Sequence, residues 1–206
     1  MKIENETELE KIWNKIPIES RKHIHMYITA RQFKNAVLIN EMLTVPALSN
    51  NLPENTEISF GGLITAKASG NKIVSKFFPF MVNKSFSCEI YLKYILTESN
   101  INFKDLKGKK GHDLWLLYDR LFTNNSNIND MFIEYINKYT KSIIDIEKEI
   151  KDISNVFESW RYIYEKYDEA QQINHGFLDM FCNFLDVYCM AIIKTKYNYD
   201  INKDIR

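Results

Sequence analysis

The sequence predicts an all-α fold: an up-and-down bundle of four to five helices behind a mostly helical N-terminal appendage. Three observations carry this. The segment after Pro79 is apolar around nearly its whole circumference, as the central helix of a bundle must be. Residues 130–153 repeat apolar side chains at alternating four- and three-residue steps. No stretch keeps strand alternation: Ile24, Met26 and Ile28 alternate, but Ile28 also continues at helical spacing to Phe33, Val37 and Met42.

Residues 1–43 read as helical. An amphipathic pattern gathers around Ile12, Trp13 and Ile16, and Pro17 ends it or opens the next helix in its first turn. TVPALSNNLPENTE, residues 44–57, has two prolines, three asparagines and no periodicity, so it is a loop or linker. The expected division is therefore an appendage over 1–56 and a bundle over 57–206. Ile58 to Val74 reads as a helix weakened by Gly61, Gly62 and Gly70, each worth about 1 kcal/mol relative to Ala.

In NKSFSCEIYLKYILTES, Phe86, Cys88, Ile90, Tyr91, Leu92, Tyr94, Ile95 and Leu96 clothe the helix on all sides. Its inner charges, Glu89 and Lys93, are one turn apart and can pair. NFKDLKGKKG is a basic turn with Lys104, Lys107, Lys109 and Lys110, a candidate anion-binding loop. His112-Asp113-Leu114 opens a helix striped by Leu114, Leu117, Tyr118 and Leu121, with Asp113 suited to the positive end of the dipole. TNNSNIND ends that helix and caps the next. Residues 130–153 form the longest predicted helix, with Phe132, Ile136, Tyr139, Ile143, Ile146, Ile150 and Ile153 as one seam, packed inside the chain or against a second copy. VFESWRYIYEKY continues or follows it. After the polar turn DEAQQINHG, a last helix runs from about Phe177 to Tyr197.

Length and charge exclude several classes. A domain of this size buries roughly 70% of its unfolded surface, enough for one sizeable core. No run of about 18 apolar residues predicts a membrane span, and MKIENETELEKIW has no apolar stretch of a signal peptide. Lys plus Arg and Asp plus Glu are both 27, so the basic excess of a duplex-binding protein is missing, and anion binding must be local. Cys88, Cys182 and Cys189 are odd in number and lie in apolar helical contexts, which predicts buried thiols and a cytoplasmic setting.

Familiar catalytic patterns are missing too. Gly61-Gly62 lacks the following Gly-Lys-Ser/Thr of a phosphate loop. No histidine pair has the spacing of a zinc protease, and no Glu lies three residues before a His as in di-iron bundles, so neither metal nor cofactor is expected. His23 and His25 are two apart and read as surface residues. What is left is a polar set inside apolar helices: Glu89, Lys93, His112, Asp113, Trp160, Arg161, Tyr162 and Glu165. It is either a satisfied network that fixes helix register or a ligand site, because a buried charge requires a partner. Arg161 suits a bidentate bond to a carboxylate such as Glu89, or to a phosphate.

PFMVNKSFSCEIYLKYIL, KGHDLWLLYDRL and FESWRYIYE, in that order and spacing, resemble the HEPN superfamily (higher eukaryotes and prokaryotes nucleotide-binding). The resemblance covers residues 79–165 and by extension about 58–197, and leaves 1–56 uncovered. It implies a helical bundle, a homodimer, and an association with nucleotide or RNA handling, toxin–antitoxin pairs and phage defence. Many members are metal-independent ribonucleases with an Arg followed by four to six residues and a His. This chain departs from that signature: only three residues separate Arg21 from His25, and thirteen separate Arg161 from His175. The resemblance therefore implies a non-catalytic binding module for a nucleotide, RNA or a nucleotidyltransferase partner, with no membrane association. The alternative is a ribonuclease with a displaced site, for which His112, Arg161 and His175 are the candidates.

Overall fold

The computed structural model describes residues 8–35, 57–58, 63–66, 72–106, 111–140, 143–161 and 171–199. The class is all-α. Seven helices are described: α1 (Glu8–Lys15), α2 (Ile18–Asn35), α3 (Lys72–Glu98), α4 (Leu114–Asn124), α5 (Ser126–Tyr139), α6 (Ile146–Arg161) and α7 (His175–Tyr197). Three short strands, β1 (Glu57–Ile58), β2 (Leu63–Ala66) and β3 (Gln171–Asn174), form an antiparallel sheet in the order β1-β2-β3. Its register pairs Ile58 with Ile64, and Ile64 with Ile173.

Helix α3 is the centre of the bundle and packs against α2, α4, α6 and α7. Tyr91, Leu92, Tyr94, Ile95 and Leu96 are buried consecutively around Lys93, as an all-round apolar helix requires. The helix ends in a Schellman turn. Asn100 takes the left-handed conformation (φ 54°), Ile101 N–H donates to Leu96 O, and Asn100 N–H to Thr97 O. Helix α7 is long and apolar enough to cross a membrane by length and composition alone, and it buries Phe177, Leu178, Phe181, Leu185 and Ile193 inside the bundle. Phe132 of α5 joins this core, with ring centroids 4.8 Å from Phe184 and 5.4 Å from Phe181. All three cysteines are free and buried.

Three sequence expectations change. The helix expected over 58–74 is replaced by β1 and β2, with α3 starting at Lys72. Adjacent glycines penalise helix by about 2 kcal/mol together, and β-branched Ile58, Ile64 and Thr65 suit strands. The helix expected over 130–153 is two helices. Thr140 is extended (φ −135°, ψ 140°) and ends α5, while the Asp145 side chain accepts Lys148 N–H at the start of α6. The predicted seam is broken with it: Phe132, Ile136, Ile150 and Ile153 are buried, but Tyr139 and Ile143 are exposed. Finally, α3 contains Pro79 rather than following it. The linker at 44–56 and residues 1–7 lie outside the described residues.

Candidate functional site

The start of α4 positions the candidate site. Gly111 passes so close to the Leu106 carbonyl that a Cβ there would sit 2.8 Å from its oxygen, so only glycine permits this approach. Asp113 is the N-cap of α4, and its Oδ1 accepts from Trp115 N–H (2.9 Å) and Leu116 N–H (3.2 Å). Ser154 of α6 donates to the same oxygen (2.9 Å) and accepts Leu114 N–H (3.1 Å). The N-terminus of α4 is thus pinned to α6.

His112, just before the cap, is turned towards α3. Its Nδ1 lies 2.9 Å from Glu89 Oε1, and Lys93 Nζ donates to the same oxygen at 2.6 Å. The Glu89 side chain is 2% exposed and that of His112 is 46% exposed, so a buried carboxylate holds an imidazole whose outer edge meets solvent. Glu89 Oε2 is sealed from solvent and has no hydrogen-bond partner among the described residues. Of the predicted site, Glu89, Lys93, His112 and Asp113 therefore come together. Arg161 and Trp160 end α6, their side-chain surroundings not among those described; Tyr162, Glu165, Lys107, Lys109 and Lys110 lie outside the described residues. Lys104 is exposed.

His175 belongs to a different group. It opens α7, with its Nε2 3.8 Å from Asp179 Oδ2, and Lys84 of α3 pairs with Asp179. Burial first, then the Lys84 charge, push its pKa down to about 4. Burial likewise lowers Lys84.

Two further carboxylates tie helices together. Asp186 of α7 accepts from Tyr27 Oη (2.8 Å) and Tyr91 Oη (3.2 Å) on Oδ1, and from Lys34 Nζ (2.5 Å) on Oδ2. Burial, then the Asp186 charge, push both tyrosine hydroxyls well up. Glu98 at the end of α3 meets His23 (2.7 Å), Lys196 (2.8 Å) and Tyr197 (2.9 Å). Burial alone would raise its pKa, but hydrogen bonds from Lys196, Tyr197 and His23 hold it below the usual value. His23, read from sequence as a surface residue, is thus a tie between α2 and α3. Arginines are committed as well: Arg120 clamps Asp105 with two nitrogens (2.8 and 3.1 Å), and Arg21 donates to the Ile16 and Asn14 carbonyls (both 2.8 Å).

Sequence reasoning passed over Asp186, Glu98, Lys34, Lys84 and Trp115. The signal for Asp186 was present, a lone acid within FLDVYCM, since a charge in an apolar helix needs a partner. No family model, curated protein or solved structure matches this chain.

Proposed function

We propose that this chain is a HEPN-like binding module that takes a phosphate-bearing ligand, a nucleotide or RNA, without cleaving it, in a toxin–antitoxin or phage-defence setting. The observation that carries this is the half-exposed His112 seated on buried Glu89 beside Lys93. With Nδ1 donating to the carboxylate, the orientation of the half-exposed ring is fixed in advance, and the Lys93 ammonium beside it supplies a cationic phosphate donor. Metal-free cleavage also needs an arginine beside the histidine. Among the described side chains, Arg21 and Arg120 instead hold the chain's own carbonyls and Asp105. A second copy is the expected protein partner. A largely apolar groove of about 290 Å³, lined by Ile133, Ile136, Ile143, Ile144 and Ile146 with Asn137 and Thr140, supports such assembly. A monomer by light scattering at tens of micromolar would remove the dimer from the proposal.

The test is fluorescence anisotropy of a labelled single-stranded RNA, with the same RNA run on a denaturing gel in EDTA. Binding that weakens about tenfold in His112→Ala and Lys93→Ala, with the RNA left intact, supports the module. The second reading, a displaced ribonuclease, is favoured by the Glu89–His112 pair itself, since a carboxylate that orients an imidazole also suits acid–base work. RNA degraded in EDTA by the native chain and spared by His112→Ala would establish that reading instead. No binding and no cleavage would defeat both.

A further inference from the structure

Trp115 lies three residues after His112 and is partly exposed, with part of its surface packed against the core. It is the outer rung of an aromatic ladder. Its ring stacks on Tyr118 with centroids 5.7 Å apart and planes at 27°, and Tyr118 stacks on Phe122 at 4.1 Å and 25°. The inner rungs are locked by edge contacts of Tyr118 with Phe132 and Phe181. Among the described residues, a flexible group lies over the outermost ring: Lys151 Nζ of α6, 4.6 Å from the ring centroid. That lysine is 45% exposed and is paired with Glu147, itself 61% exposed. An exposed cation–π contact and a surface ion pair are both weak, so this cover is easily displaced.

The start of α4 therefore sets three chemistries side by side. His112 sits with Lys93 of α3 on Glu89, the Trp115 indole follows three residues later in the chain, and Lys151 of α6 lies over its ring. Cations track a phosphate backbone, and an aromatic face stacks any unpaired base through its π-system. A duplex offers no free base face, and inorganic phosphate has none. We infer that Trp115 is the base-stacking face of this site, so that the ligand class is an unpaired nucleobase with its phosphate, as in a nucleotide or single-stranded RNA. This inference rests on the phosphate-binding reading above and narrows it. On stacking, the base displaces Lys151, whose ammonium is then released to the ligand's phosphate.

The experiment compares two labelled probes with the full chain: a short oligoadenylate RNA and an abasic oligomer with the same ribose–phosphate backbone. The expected result is that oligoadenylate binds at least about tenfold tighter. Trp115→Leu, which keeps apolar bulk without a π-face, should erase that ratio, and Trp115→Phe should keep most of it. Circular dichroism melts of each variant establish that the fold is intact, and Trp115→Phe gives the readout if the leucine variant unfolds. Equal affinity for the two probes, or a ratio unchanged in Trp115→Leu, overturns the stacking role. In those cases His112-dependent binding of both probes leaves the phosphate-binding reading standing. Binding of neither probe overturns both.

Discussion

Asp186→Ala is expected to destabilise the fold by about 4 kcal/mol. Asp186 is 4% exposed and takes three donors from two other helices. Its removal strands the Lys34 ammonium, which is 16% exposed. Breaking a buried pair by deleting one partner costs about 3–5 kcal/mol. The two orphaned tyrosine hydroxyls each add a penalty of about 1–3 kcal/mol. These do not add in full, because neighbouring losses are coupled and Lys34 recovers hydration by extending along its stem. The midpoint of a thermal melt should fall by roughly 8–16 °C at about 2–4 °C per kcal/mol for a chain of this size. Urea unfolding followed by far-ultraviolet circular dichroism at pH 7 measures the free energy directly. Lys34→Met should be much less harmful in the Asp186→Ala background than in the native one, with a coupling of about 2 kcal/mol. A loss below about 1 kcal/mol for Asp186→Ala, or strict additivity with Lys34→Met, would refute the claim that this carboxylate joins α2 and α3 to α7.

Other outcomes follow from the same geometry. Asp113→Ala removes the acceptor of two backbone N–H groups and of Ser154, and should cost about 2 kcal/mol in urea unfolding, with Asp113→Asn recovering part of it. His175 gives an acid-side dependence. Its folded pKa of about 4 lies below the ordinary 6.5, so the unfolded chain binds the proton more readily. The stability linked to it is complete above about pH 6.5 and is lost as pH falls towards 4, by up to about 3 kcal/mol. His175→Gln should flatten the stability profile across that window in denaturant titrations. The buried thiols Cys88, Cys182 and Cys189 should react with a thiol reagent only on unfolding, so rapid labelling of native protein would contradict their packing.

Much of the bundle is legible in the chain because its cues are local. The all-round apolar pattern marks α3, and Leu114, Leu117, Tyr118 and Leu121 mark the buried stripe of α4. The Asn125 cap between α4 and α5 was readable in TNNSNIND, and its side chain accepts Ile128 N–H. The division of 130–153 was missed because an apolar count tolerates a break that Thr140 and Asp145 impose through backbone and cap geometry. The strands at 57–58 and 63–66 were missed for a related reason. Gly61-Gly62 between β-branched runs was read as a damaged helix rather than as a pair of strands. At the site, Glu89–Lys93 is a contact one turn apart and was visible from spacing. His112 on Glu89, and three donors from two helices on Asp186, arise only when distant segments pack, so no spacing rule reaches them. Trp115 was hidden by success: it lies beside a correctly read core stripe, and only its partial exposure sets it apart.

The two carboxylates that receive α2 have a joint consequence. Glu98 holds it at His23, and Asp186 holds it at Tyr27 and Lys34. His23 and Lys34 are eleven residues apart, roughly 16 Å along a helix. One anchor alone leaves a rod free to roll about its own axis or to slide. Two anchors at opposite ends, on different helices, remove both freedoms. Inserting one residue between His23 and Lys34 would turn one end by about 100° relative to the other. No rotation of the rod could then seat both ends, so α2 is keyed in phase as well as in place, and the N-terminal segment docks in a single register.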